Sequence, residues 1–184
     1  MQMTGSRSVP ASVEATWAAL NDPEVLKSCI AGCESVERVS DTEFRVAMTA
    51  RVGPVSAKFS GRIILADLVA PTSYRLTFEG QGGAAGFARG EAKVALAAEP
   101  GGTRIDYTAT AQVGGKLAQI GSRLVDATAA KVADDFFARF AERLGGTAIP
   151  LAPGSKPPAV RALWWRLGLA LVIVIGIAIY WLTR

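Results

Sequence analysis

The chain of 184 residues is long enough for one ordinary domain and an appendage, and it carries a formal net charge of +4 with a pI near 9.3. The positive excess is confined to one end, because four of the 20 basic residues follow Pro150 and no acidic residue does. The first 150 residues therefore hold 16 basic and 16 acidic side chains. That balance excludes a basic surface that would track nucleic-acid phosphates.

The N-terminal residues predict an edge strand followed by two short helices. The opening stretch 1–9 lacks the apolar core of a secretory signal and reads weakly as a strand. Ser12 is placed to cap a helix that ends near Leu20. Asp22, with Pro23 at the first helical position, predicts a second helix that ends at about Ser28.

The middle of the chain predicts a run of antiparallel strands. Apolar and polar residues alternate with the period of a β-strand in five stretches: 43–52, 55–65, 74–80, 88–96 and 104–113. Turn residues such as Gly53-Pro54 separate these stretches. The pattern indicates an antiparallel meander with one face in water.

The apolar face of these strands carries many small residues. They are Ala50, Ala57, Gly61, Gly80, Gly90, Ala92, Ala109 and Ala111. Small residues permit either tight helix–sheet packing or a hollow that binds an apolar ligand, since ligand pockets are concave and mostly hydrophobic. The alternation by itself leaves both interpretations open.

Residues 114–144 predict one long amphipathic helix. Apolar residues recur at steps of three and four, and Gly145 stands where a left-handed cap would follow. Such a helix would be roughly 40 Å long and would lie across the apolar face of the sheet, which gives an α+β helix-grip domain over residues 1–144. Because the apolar stripe rotates around the helix, we expect the first half to face the sheet interior and the second half to close one end.

The remainder of the chain predicts a linker and a membrane anchor. Residues 145–161 are rich in proline and glycine, which favours an extended linker. Residues 162–184 predict a transmembrane helix, since residues 167–183 contain no charge. The anchor residues are Trp164, Trp165, Leu167, Leu171, Ile175, Ile179, Tyr180 and Trp181.

The charges that flank this segment predict its orientation. Arg161 and Arg166 before it outweigh Arg184 after it. The positive-inside rule then predicts a single-pass protein of the inner membrane with its globular domain on the cytoplasmic side.

The absence of histidine restricts the chemistry that the chain can perform. It excludes Ser–His and Cys–His nucleophile pairs and the usual zinc and haem ligand sets. Cys29 and Cys33 cannot hold a metal by themselves, and we expect them to be small buried residues. We therefore predict no catalytic residue, no metal and no covalent cofactor. The alternative is a cyclase or hydrolase that uses Tyr74, Tyr107 or a cysteine.

Three long stretches are similar to the family named after the G subunit of carbon monoxide dehydrogenase. They read PEVLKSCIAGCESV from Pro23, GQGGAAGFARGEAKV from Gly80 and GGKLAQIGSRLVDATAAKVADDFFARF from Gly114. With the strands between them, the resemblance covers essentially residues 1–144. Where the family reads Cys-Ile-Pro-Gly-Cys this chain has Ala31 in place of the proline, which affects only the expected loop shape.

The resemblance implies a START-like (SRPBCC) helix-grip domain encoded beside molybdenum hydroxylases. Family members are associated with recruiting an enzyme of the carbon monoxide dehydrogenase type to the cytoplasmic face of the membrane, and the fold with binding hydrophobic ligands, including quinones. The expected partners are thus the membrane, a molybdenum hydroxylase and a hydrophobic small molecule such as a quinone, with no nucleic acid. A purely structural anchor with a packed core is the competing interpretation.

The residues expected to line the ligand cavity come from the second helix, the strands and the long helix. They are Leu26, Cys29, Ile30, Met48, Phe59, Phe78, Tyr107, Leu117, Ile120, Gly121, Leu124, Val125 and Thr128.

Overall fold

Within residues 1–145 and 149–150, which the computed structural model describes, eight antiparallel strands form a single sheet. The strands are β1 Gln2–Val9, β2 Cys33–Arg38, β3 Glu43–Val52, β4 Val55–Val69, β5 Ser73–Gln81, β6 Phe87–Glu99, β7 Gly102–Gly114 and β8 Ile149–Pro150. Their order across the sheet is β2-β3-β4-β5-β6-β7-β1-β8. Strands β2 to β7 therefore form a meander, and β1 is added beside β7.

The five predicted central strands are confirmed as β3 to β7, and two further strands were not predicted. In β2 only Val36 is buried, so its sequence lacks a regular apolar alternation. The two residues of β8 fall within the stretch predicted as a linker, where they pair with Arg7 and Ser8 of β1. The compact unit that contains the sheet spans Met1–Leu151.

Two short helices precede the meander, as the capping residues predict. Helix α1 spans Val13–Leu20, and the Ser12 hydroxyl accepts a hydrogen bond from the Ala15 amide at 3.2 Å. Helix α2 spans Pro23–Cys29, and the Asp22 carboxylate accepts one from the Glu24 amide at 2.8 Å. Both caps satisfy amides that have no partner within the helix.

The prediction of one continuous helix over residues 114–144 is wrong. The structure has a short helix α3, Lys116–Gln119, and a long helix α4, Ser122–Arg143. Gly121 between them has a φ of 91°, a left-handed conformation that an α-helix does not contain. Helix α4 has 22 residues and is about 33 Å long.

The largest buried side chains gather at one end of the sheet, which we call the packed end. It is the end where β1 and β6 finish and where β3 and β5 begin. One cluster joins helix and sheet through Val9, Cys29, Leu96, Ile105, Phe137, Phe140 and Ala141. A second comprises Val36, Phe44, Leu65 and Tyr74. Trp17 of α1 contacts both clusters and meets Tyr74 edge-on, with ring centres 5.5 Å apart.

No helix in the described residues combines the length and the apolar character that crossing a bilayer requires. The predicted anchor over 162–184 lies outside the described residues.

Candidate ligand-binding site

The middle of the sheet has a floor of small residues beneath α4. Every residue predicted to face inward in the middle of the strands is only partly buried, and most of the outward residues between them are exposed. The small floor residues are Ala50, Ala57, Gly61, Gly80, Ala88, Gly90, Ala92, Ala109 and Ala111. The backbone of α4 comes nearest to the sheet at β1 and β3, and at the packed end its side chains also contact β6 and β7. The floor is therefore left incompletely covered between β1 and β3.

The second half of α4 closes the packed end. Phe140 is fully buried, and Phe137 stacks on Tyr107 of β7 with ring centres 5.2 Å apart. Phe136 packs against both of these phenylalanines, edge-on to Phe137 and parallel to Phe140. This arrangement confirms that the second half of the long helical region closes one end of the sheet.

A polar contact along the β1 flank was not predicted. Arg7 is on the inward side of β1, with Val9, and its side chain is only 16% exposed. Its guanidinium forms an ion pair with Asp134 of α4 and lies 5.9 Å from the centre of the Phe137 ring. Residues two apart on a strand face the same side, so the apolar Val9 could have predicted that Arg7 also faces inward.

The opposite end of the sheet, which we call the open end, is closed by turns and by the short helix α3, whose Leu117 is buried. Leu124 in the first turn of α4 lies over Gly53, in the turn between β3 and β4. A short 3-10 turn, Gly83–Ala85, connects β5 to β6, and its neighbour Gly86 abuts Gly114 and Gly115. No large buried side chain from the two core clusters reaches this end.

A cleft of about 440 Å³ enters the domain at the open end, between β7 and the start of α4. Its volume lies in the range of small-molecule sites, about 300–1,000 Å³. The lining comprises Met1, Phe87, Ala111, Gln112, Val113, Ala118, Ser122, Val125 and Asp126. Among the described residues, Val125 alone belongs both to this lining and to the predicted cavity residues.

The alternation of apolar and polar residues in β7 predicts that Ala111 and Val113 face inward. It does not predict that Met1 lies beside them. That position depends on the pairing of β1 with β7, where the Met1 ammonium donates a hydrogen bond to the Ala111 carbonyl at 2.8 Å.

The other predicted cavity residues fall into three groups. At the packed end, Cys29 is 1% exposed and belongs to the first core cluster, against which Tyr107 packs. Leu26 packs against the second core cluster. Met48, Phe59 and Phe78 are half-buried on the floor, and Ile30 is half-buried at the C-cap of α2. In the helical region Leu117 is buried, Ile120 and Thr128 are half-buried, and Gly121 and Leu124 are exposed.

The side chains suggested for an enzymatic alternative are held in their protonated forms. Burial raises the pKa of the Tyr74 and Tyr107 hydroxyls. Burial also raises the pKa of the Cys29 and Cys33 thiols, which disfavours the nucleophilic thiolate. Within the described residues there is no group of three or more acidic or cysteine side chains that could hold a metal ion.

A second groove, of about 580 Å³, lies on the water-facing side of the sheet. Its walls include the charged residues Arg62, Glu79, Arg89 and Glu91, and Arg62 and Glu79 form an ion pair of 3.3 Å. The apolar character of the inward face makes the cleft at the open end the better candidate for a hydrophobic ligand.

Comparison with known protein families settles the membership of the chain. The family model of the carbon monoxide dehydrogenase G subunit (CoxG) matches residues 5–145. The chain belongs to the CoxG family. This confirms the resemblance carried by the three sequence stretches, and the family name associates the protein with carbon monoxide dehydrogenase.

Solved structures support the same fold for this CoxG-family protein. A conserved protein from Geobacillus kaustophilus is 31% identical, with 78% of this chain and 95% of that chain covered and a TM-score of 0.73. A START superfamily protein from Mycobacterium smegmatis is 13% identical, with 77% and 95% covered and a TM-score of 0.59. A protein from Thermus thermophilus is 21% identical, with 78% and 97% covered and a TM-score of 0.60.

A comparison with curated proteins finds no significant match. The family membership and the fold shared with the START superfamily protein are what these likenesses establish for the chain.

Proposed function

We propose that this CoxG-family protein is a membrane-anchored accessory protein, without catalytic activity of its own, that binds a quinone in the hollow between α4 and the sheet. It recruits a molybdenum hydroxylase of the carbon monoxide dehydrogenase type to the cytoplasmic face of the inner membrane. The family membership supports the enzyme partner. The fold supports the hydrophobic ligand.

The observation that carries the ligand-binding part is the incompletely covered floor. Alanine and glycine occupy many of the inward positions of five neighbouring strands, β3 to β7, and the cleft beside Ala111 and Val113 gives access to them. A core that only had to be stable would fill this space, because protein interiors are packed about as densely as organic crystals. A flat, largely apolar ring system such as a quinone suits a floor in which small residues alternate with half-buried apolar side chains such as Phe59 and Phe78.

The anchor part of the proposal is supported by the sequence of residues 162–184. Trp164 and Trp165 precede the uncharged stretch, and Tyr180 and Trp181 lie at its end. Aromatic residues at both ends of an apolar segment are typical of the two interfaces of a bilayer. A tether of this kind would keep the hollow beside the membrane in which quinones dissolve.

Native mass spectrometry of the detergent-extracted full-length protein tests ligand binding directly. We expect a bound species that organic solvent extracts and that menaquinone replaces. A protein that carries nothing and does not bind added menaquinone would refute the ligand-binding part.

A matched pair of variants tests the position of the ligand. Ala111 and Thr108 lie on the same strand, but Ala111 lines the cleft and Thr108 is exposed on the water-facing side. We expect Ala111→Phe to lower menaquinone affinity by at least about tenfold, or about 1.4 kcal/mol, because its ring occupies the cleft. Thr108→Phe should leave the affinity unchanged. Equal affinities of the two variants would place the ligand elsewhere.

A further inference from the structure

The rim of the open end combines exposed apolar residues with positive charge. Leu124 is 41% exposed there, and Pro54 and Ala84 are exposed in the two turns beside it. Three exposed basic residues surround them: Arg51, Lys116 and Arg123. None of these three belongs to an ion pair within the part of the chain that the structure describes.

The acidic side chains near this rim do not cancel its charge. Glu34 forms an ion pair with Lys58 at 3.2 Å. Asp126, which lines the cleft, is the first acidic residue of α4. At the packed end, by contrast, the turns that connect the elements contain Asp22 and Asp41 and no basic residue. The rim of the open end therefore carries a local excess of positive charge that no described ion pair neutralises.

The direction of the chain at β8 points to the same end. Ile149 pairs with Ser8 and Pro150 with Arg7, so β8 runs antiparallel to β1. Strand β1 begins at the open end, where Gln2 pairs with Thr110. The chain at Pro150 is thus directed from the packed end toward the open end.

The length of chain after β8 is sufficient to reach that end. Six residues of β1 separate the position of Pro150 from Met1, a distance of about 20 Å at 3.3 Å per residue. Residues 151–161 contain three prolines, and in an extended polyproline form they would span about 34 Å. The apolar segment that follows can therefore enter a bilayer lying against the open end.

We propose that the open end of the domain rests on the anionic surface of the membrane that holds the anchor, with the cleft opening toward the lipid. The three unpaired basic residues contact acidic headgroups, and Pro54, Ala84 and Leu124 contact the interfacial region. This inference rests on the proposed function, since the tether is what brings this end to a bilayer. In this orientation, a hydrophobic ligand has a short path between the lipid and the cleft.

Photocrosslinking of the full-length protein in vesicles of phosphatidylcholine and phosphatidylglycerol tests the orientation. One sample carries p-benzoylphenylalanine at Ala84, on the rim, and another carries it at Asp41, in an exposed turn of the packed end. We expect lipid adducts at position 84 and none at position 41. Adducts at position 41 would overturn the proposed orientation alone. So would the absence of adducts at both positions in a protein that floats with the vesicles.

Charge reversal tests whether the basic residues are responsible. Arg51→Glu, Lys116→Glu and Arg123→Glu together should reduce adduct formation at position 84 by at least about tenfold, because each exposed basic residue is attracted to an anionic surface. A control with Arg45→Glu, Lys93→Glu and Arg143→Glu removes the same charge elsewhere on the exposed surface. It should form adducts as the wild type does, and equal losses in both variants would contradict the proposal.

The same samples separate this inference from the proposed function. A protein that does not float with the vesicles would overturn the tether and the orientation together. A protein that binds menaquinone but forms no adduct at position 84 would leave the proposed function standing and remove only the orientation.

Discussion

Phe140 illustrates at the residue scale how the packed end is held together. It is 0% exposed and lies in the cluster that joins α4 to β1, β6 and β7. The Phe136 ring stacks beside it, with centres 5.7 Å apart. A side chain in this position is removed from water on all sides, so its loss leaves a cavity that its neighbours fill only partly.

We predict that Phe140→Ala lowers the free energy of unfolding by about 3–5 kcal/mol, as expected for a large aromatic side chain removed from a core. Val132→Ala is the control on the same helix, because Val132 is 42% exposed, and its effect should stay below about 1 kcal/mol. Urea denaturation of the detergent-solubilised protein measures both. Similar effects of the two substitutions would contradict the packing at this end.

Asp67 is the second informative residue, because it adopts a left-handed conformation in a strand. Its φ is 52°, and the register between β4 and β5 shifts at this point. The Arg75 guanidinium donates a hydrogen bond of 2.8 Å to its carboxylate and holds the pKa of that carboxyl below its usual value. The ion pair therefore accompanies a β-bulge that a regular strand would not contain.

The lowered pKa has a defined consequence for stability. Because the folded pKa lies below the unfolded value near 3.9, the pair stabilises the fold above about pH 4 and loses that contribution as pH falls through the folded pKa. We predict that Arg75→Met reduces the difference in unfolding free energy between pH 7 and pH 3, measured by urea denaturation. Arg45→Met, which changes an exposed arginine on β3, should leave this difference unchanged.

At the scale of elements, the glycines at the open end decide where helices and turns can lie. Gly121 divides the long helical region, and Leu124 then lies over Gly53. Gly86 has a φ of 108°, and a Cβ at this position would overlap the Gly114 carbonyl oxygen. The turn between β5 and β6 therefore docks on the start of the helical region only because this position has no side chain.

We predict that Gly86→Ala destabilises the protein by more than about 2 kcal/mol, since both the backbone conformation and the contact exclude a Cβ. Gly80→Ala is the matched control on the adjacent strand, where the nearest atom to a Cβ is 3.9 Å away. It should change the stability by less than about 1 kcal/mol. Comparing the urea midpoints of the two variants tests the docking of this turn, and a tolerated Gly86→Ala would argue against it.

For the whole molecule, the core clusters that stabilise the fold and the cleft that could admit a ligand lie at different ends of one sheet. The core clusters fill the packed end, while the floor and the cleft lie toward the open end. A domain organised in this way can hold a ligand at the open end without losing the contacts that keep it folded. This separation is also what makes substitutions in the cleft informative about binding.

The proposed tether leads to a prediction for the intact protein in cells. Removing residues 162–184 should move both the protein and its molybdenum enzyme partner from the membrane fraction to the cytosol, because the apolar segment supplies the membrane affinity. Cell fractionation with antibodies to both proteins measures this. A variant in which only residues 151–161 are replaced by a flexible linker of equal length is the control and should remain membrane-bound. Unchanged fractionation of the truncated protein would refute the anchor.

The sequence alone predicted the strand alternation, the Ser12 and Asp22 caps and the charge balance. These features are local, since a period of two or a cap depends on residues close together in the chain. The break at Gly121 was missed because a single glycine is tolerated in many helices, and the sequence alone does not show its left-handed φ. The Arg7–Asp134 ion pair was missed because it joins residues 127 positions apart.

The sequence by itself determined the class of the domain, the family and the small inward residues, because composition and periodicity encode which face of each element avoids water. Only the tertiary structure decided that the backbone of α4 comes nearest to the sheet at β1 and β3 and that the cleft lies between β7 and the start of this helix. These features depend on the pairing of β1 with β7 and on the packing of aromatic residues from α4 against distant strands. Both bring together residues far apart in the chain, so no local pattern specifies them.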